Sequence, residues 1–122
     1  MTRRHVIVAI ALMVGALHLV TGPGYSGPWP TFVNGYLMDI ALPFALCLLL
    51  ATVPLPLIAS RAFRAALLLS FGALVELLQH LGYPLFGRTA DPLDLVAYAA
   101  GIVGALLFER IALARLPAER TE

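Results

Sequence analysis

The sequence predicts an all-α polytopic membrane protein, with four transmembrane helices in a compact bundle and both termini cytoplasmic. Three observations carry this. Of the 122 residues, 61% are hydrophobic and 12% charged, against roughly 25% charged in a soluble domain, and the mean hydropathy is +0.91. The apolar residues gather into four runs near the roughly 17–25 residues that a helix needs to cross a bilayer. The eight basic residues, all arginine, sit at the ends of these runs and almost entirely on one side.

The first span is expected at about 5–21, "HVIVAIALMVGALHLVT". Arg3 and Arg4 precede it as they would a signal peptide, but no A-x-A cleavage site follows and Pro23 sits just past the best cut, so it reads as a retained span. The second is expected at about 36–53, the third at about 65–83 and the fourth at about 92–113, all within one domain covering 1–122. Between the first two, "GPGYSGPWPTFVNG" carries no charge. Its Gly and Pro mark turns, and Tyr25, Trp29, Phe32 and Tyr36 suit an interfacial aromatic belt.

The arginines set the expected orientation. Arg3 and Arg4 lie before the first span, Arg61 and Arg64 between the second and third, and Arg110, Arg115 and Arg120 at or after the end of the fourth. These seven belong on the cytoplasmic side, and only Arg88 falls on the other. No basic-aromatic weave or zinc spacing points to nucleic acid. The sole cysteine, Cys47, excludes an internal disulfide and reads as a packing thiol.

Polar chemistry concentrates in "LVELLQHLGYPLFGRTADPLDLVAY", residues 74–98. Glu76, Gln79, His80 and Tyr83 share one helical stripe, with Gly72 a turn deeper. Glu76 lies about seven residues below the outer end of its span, roughly 10 Å deep at 1.5 Å per residue. An acid there must face protein, water or a ligand. Asp91 before Pro92 fits a helix N-cap with Pro at the first helical position, and Asp94 faces the exposed N–H groups of the same turn. Arg88 either bridges to Asp91 or Asp94 or clamps a phosphate or carboxylate. Tyr98 shares a face with Asp94 and can donate to Asp94 or Glu76. Ala97, Gly101 and Ala105 form a small-xxx-small pattern that admits a close neighbour. Asp39 stands one turn inside the second span with Pro43 below it, and His18 stands near the outer end of the first. Each span thus brings a titratable group to its outer third. The two hairpins form at most a weak parallel pseudo-repeat, which gives the alternating access of inverted repeats no foothold.

The run from Glu76 to Gly104 resembles the VanZ-like family of small bacterial membrane proteins. The resemblance rests on Glu76 and Gln79, then Gly87 and Arg88, then Asp91, Asp94, Gly101 and Gly104, about a quarter of the chain. Two departures stand out. Tyr98 occupies a position where the family often has Asn, and only Asn34 and Asp39 are available for the polar pair that often opens its second span. The resemblance implies a multi-pass protein of the bacterial cytoplasmic membrane, in a family whose namesake is linked to resistance to the glycopeptide teicoplanin.

Four functional readings follow. In the first, a non-enzymatic module binds a lipid head group or cell-wall precursor through an outward pocket of Glu76, Gln79, Arg88, Asp91, Asp94, Tyr98, Asp39 and His80. Its partners are membrane lipids, an envelope lipid or peptidoglycan precursor, and a second copy of the chain. In the second, an intramembrane hydrolase uses Glu76 or Asp94 as general base with Arg88 on a lipid-linked phosphate. Catalysis stays open but is weighed against by the lack of a nucleophile beside a base and of metal-ligand spacing, so no cofactor or metal is expected. The third, translocation, needs a polar relay that the cytoplasmic halves do not offer. The fourth is a structural clamp in which the polar residues tie helices together.

Overall fold

The computed structural model describes residues 2–21, 25–83 and 92–117. It is helical throughout, with no strand among the described residues. Four helices are long and apolar enough to cross a membrane: α1 (Arg3–Val20), α2 (Pro30–Leu50), α3 (Arg61–His80) and α4 (Pro92–Ile111), the last continued by a 3-10 turn at Leu113–Arg115.

Local chemistry explains most of the helix ends. Ser60 caps α3, its hydroxyl accepting from the Phe63 N–H at 3.3 Å. Gly82 ends α3 with φ +100°, a conformation that costs glycine little. The Tyr83 N–H then reaches back to the Leu78 carbonyl at 3.0 Å and the Gly82 N–H to that of Gln79 at 3.1 Å, which satisfies carbonyls that the helix leaves unpaired. Pro92 opens α4, where its fixed φ and missing N–H do no harm.

Helix α2 departs from the expected boundaries. It begins at Pro30, not near residue 36, after Trp29 takes a left-handed turn at φ 50°. Trp29 remains outside the helix and is 78% exposed, while Phe32 and Tyr36 are helical. Residues Val33–Leu37 form π-type turns, and Pro43 sits inside the α-helical remainder. Proline cannot donate to the carbonyl four residues back, here that of Asp39.

The core lies between α2 and α4, which pack along each other more extensively than any other pair. The small-residue pattern of α4 explains the closeness. Ala97, Gly101 and Ala105 are all buried, and a β-carbon at Gly101 would collide with the Ile40 carbonyl oxygen and come within 2.9 Å of Pro43 Cγ. Leu48, Cys47 and Ile102 complete this layer at 0–1% exposure, and Phe44 meets Phe108 edge to face at 5.8 Å. Helix α1 packs on α2 and α3 packs on α4, whereas no comparable packing joins α1 to α3. Only 6% of the most apolar stretch of α1 is buried, against 28% for α2. Leu12, Met13, Leu19 and Val20 of α1 are among the most exposed apolar side chains. Such an apolar surface suits lipid contact and is rare on a soluble monomer.

The deepest charge is at the end opposite the acids. Arg64 is 1% exposed. Its guanidinium contacts Glu109 Oε2 at 2.5 Å and donates to the carbonyls of Ile58 at 2.8 Å and Ala59 at 3.0 Å. The sequence assigns Arg64 only to a side, with Arg61 between the second and third spans. In the structure it turns inward and ties α3, the 51–60 connection and α4 into one unit. Arg61 adds a looser contact to the same acid, Nε to Oε1 at 3.6 Å.

Candidate functional site

Because α1 and α3 do not close on each other, a cleft of about 960 Å³ lies between them, with α2 and α4 as its floor. Helix α1 lines it with Ala11, Gly15 and His18, and α3 with Phe71, Glu76 and Gln79. The floor is Asn34, Asp39, Leu42 and Leu46 from α2, and Asp94, Leu95 and Tyr98 from α4.

The polar groups come from the C-terminal ends of α1 and α3 and the N-terminal ends of α2 and α4, so they gather at one end of the bundle. Toward the middle the walls become Ala11, Leu46, Leu49 and Phe71. The cleft is therefore graded along the bundle axis, polar at one end and apolar further in. It opens sideways between α1 and α3.

The π-type turns in α2 place two of these groups. Residues five apart on an α-helix lie about 140° apart around the axis. A π-turn bonds i to i+5 and brings such residues round toward the same side. Asn34 and Asp39, five apart across Val33–Leu37, accordingly both line the cleft.

The sequence-derived candidates divide. Glu76, Gln79, Asp39, Asp94 and Tyr98 come together around one cavity. His80, the last residue of α3, is exposed and is not among the lining residues, and Tyr83 is 59% exposed beyond it. Arg88 and Asp91 lie outside the described residues. His18 and Asn34 join the lining although neither was among the candidates. For His18 the signal was present, since it continues the face of Ala11 and Gly15. For Asn34 the signal was its pairing with Asp39 at the opening of the second span, although the π-turns that bring the two to one side cannot be read from composition or spacing.

Two members are distinctive. Glu76 is half-buried and, among the described residues, forms no hydrogen bond or ion pair. Asn34, Asp39, Gln79 and Asp94, by contrast, are each engaged in an interaction. The Tyr98 hydroxyl is shielded from solvent and makes no hydrogen bond among the described residues, so the expected donation to Glu76 or Asp94 is not made. Its ring lies against the backbone of Gly72, where a β-carbon would come within 2.9 Å of Cδ1 and Cε1. Gly72 thus lets α3 approach close enough to cover that ring.

Chemically, the described lining offers three acids, two amides, a phenol, an imidazole and the Thr21 hydroxyl, with no arginine or lysine. Carboxylate oxygens accept hydrogen bonds, and the amides both donate and accept. The described set therefore suits a ligand rich in hydroxyl or amine donors. Comparison with family models, with curated proteins and with solved structures finds no match for this chain.

Proposed function

We propose that the chain is a VanZ-like, non-enzymatic module of the bacterial cytoplasmic membrane. Its cleft takes the head of an amphiphile from the bilayer. The head sits among Asp39, Glu76, Gln79, Asp94 and Tyr98, and the chain lies along Leu46, Leu49 and Phe71. The observation that carries this reading is the axial grading of a cleft that opens sideways between α1 and α3. A lipid reaches such a cleft without leaving the membrane. The polar set favours a head that donates hydrogen bonds, such as the sugar or amine of a lipid-linked cell-wall precursor. In this reading the arginine-rich end faces the cytoplasm and the acids face outward.

The structural-clamp alternative is weaker at Glu76, which has no partner to clamp among the described residues. The buried clamp lies at the other end, between Arg64 and Glu109.

Mass spectrometry of lipids co-purifying with wild type, Glu76→Gln and Phe71→Ala tests the proposal, alongside glycopeptide susceptibility of cells carrying each. Loss of one amphiphile class from well-folded Glu76→Gln protein is expected. An unchanged lipid profile and unchanged susceptibility would remove the cleft from the function.

A further inference from the structure

At the end of the bundle opposite the acids lies a second cavity, of about 420 Å³. Arg3 at the start of α1 and Arg61 at the start of α3 line it, with Thr52 and Val53 from the connection after α2, and Glu109 and Leu113 from α4 and its 3-10 turn. We propose that this cavity is a binding site for a phosphate group, carried by an anionic phospholipid of the adjoining leaflet or free in solution.

Both guanidiniums have donors to spare. Arg3 is anchored by two contacts, its Nε donating to the Leu116 carbonyl at 3.2 Å and its backbone N–H to that of Pro117 at 3.3 Å. Anchoring through Nε leaves the terminal nitrogens for a ligand and lowers the ordering cost of binding. Arg61 touches Glu109 only through Nε at 3.6 Å, and its side chain is 51% exposed. Its terminal nitrogens make no hydrogen bond or ion pair among the described residues.

The acid in the cavity does not cancel this charge. Glu109 is held by Arg64 at 2.5 Å. Among the described residues the cavity is lined by two guanidiniums, Arg3 and Arg61, and one carboxyl group that Arg64 already pairs from outside the lining, so the described lining is net positive. Helices α1 and α3 both begin here, which adds the positive ends of their dipoles. Planar guanidinium forks match the geometry of phosphate oxygens. The remaining wall is apolar, from Ile7, Ala51, Val53 and Leu113, as suits a head group whose acyl chains continue along the helix surface. Arg4, Arg110 and Arg115 at the same end are exposed and lie outside the cavity, which makes them internal controls.

The test is thermal unfolding of the full-length protein in neutral detergent, titrated with phosphatidylglycerol, phosphatidylcholine or inorganic phosphate. Phosphatidylglycerol is expected to raise the midpoint by several degrees, and phosphatidylcholine much less. Arg3→Gln should weaken the apparent affinity for phosphatidylglycerol about tenfold, and Arg3→Gln/Arg61→Gln should abolish the response. Arg4→Gln and Arg110→Gln should leave it intact. Should Arg61→Gln not fold, Arg3→Gln alone still decides. A matching rise with inorganic phosphate assigns the site to a soluble phosphate, and a rise with the lipid alone assigns it to the membrane. Equal losses from cavity and control arginines, or no preference for the anionic lipid, would overturn the proposal.

Discussion

The Arg64 guanidinium crosses from α3 to Glu109 on α4, Nη2 to Oε2 at 2.5 Å, while Nη1 holds the carbonyls of Ile58 and Ala59. One planar group thus serves an acid and two backbone oxygens at once. A lysine ammonium cannot span that spread of acceptors. Removing Glu109 would strand a guanidinium that is 1% exposed. Breaking such a pair costs about 3–5 kcal/mol. Glu109→Ala and Arg64→Ala should each lower the unfolding midpoint in detergent sharply, and Arg64→Lys should recover little.

Glu76→Gln should behave in the opposite way. Glu76 has no partner among the described residues, so the substitution should leave the midpoint within a degree or two while changing the co-purified lipid. Thermal unfolding beside Glu109→Gln makes the comparison direct. A fall as large as that of Glu109→Gln would mean that Glu76 is structural after all.

Glycine substitutions should sort by what faces them. Gly101→Ala drives a β-carbon into the Ile40 carbonyl, and Gly72→Ala drives one into the Tyr98 ring. Overpacking of this kind typically costs about 1–3 kcal/mol. Gly101→Ala should cost more, because backbone yields less readily than a ring. Gly15 and Gly35 face open space, so Gly15→Ala should be neutral or stabilise by up to about 1 kcal/mol through helix propensity. Chemical or thermal denaturation of the three single variants checks the order.

Gly15 also offers a way to block the cleft without touching its polar groups. It lines the cavity and has nothing within 4 Å of a β-carbon position. Gly15→Phe should fold normally, fill part of the space between α1 and α3, and reduce amphiphile binding at least tenfold. Binding that persists unchanged in a folded Gly15→Phe protein would place the ligand elsewhere.

Cys47, at 0% exposure, should not react with a maleimide until the protein is denatured, which leaves a silent background for mapping topology. An impermeant maleimide applied to intact cells should label Ser26→Cys and spare Arg115→Cys until the membrane is permeabilised. The reverse pattern would invert the proposed orientation.

The sequence by itself determined the all-helical class, four apolar spans and the faces shared within each helix. Glu76 with Gln79, and Ala97 with Gly101 and Ala105, follow from a 3.6-residue period, a property of one helix in isolation. Composition alone signals that these helices are too apolar for water. The tertiary structure decided how the helices are rotated and paired. Counting arginines assigns a side of the membrane but cannot reveal which of them turns inward, because burial of Arg64 depends on Glu109, 45 residues away. At α2 a 3.6-residue period does not describe the geometry, because π-type turns carry Asn34 round to join Asp39. The cleft itself exists because α2 and α4 meet closely at Gly101 and Ile40 while α1 and α3 stay apart. That balance of contacts belongs to four helices together, and no local spacing encodes it.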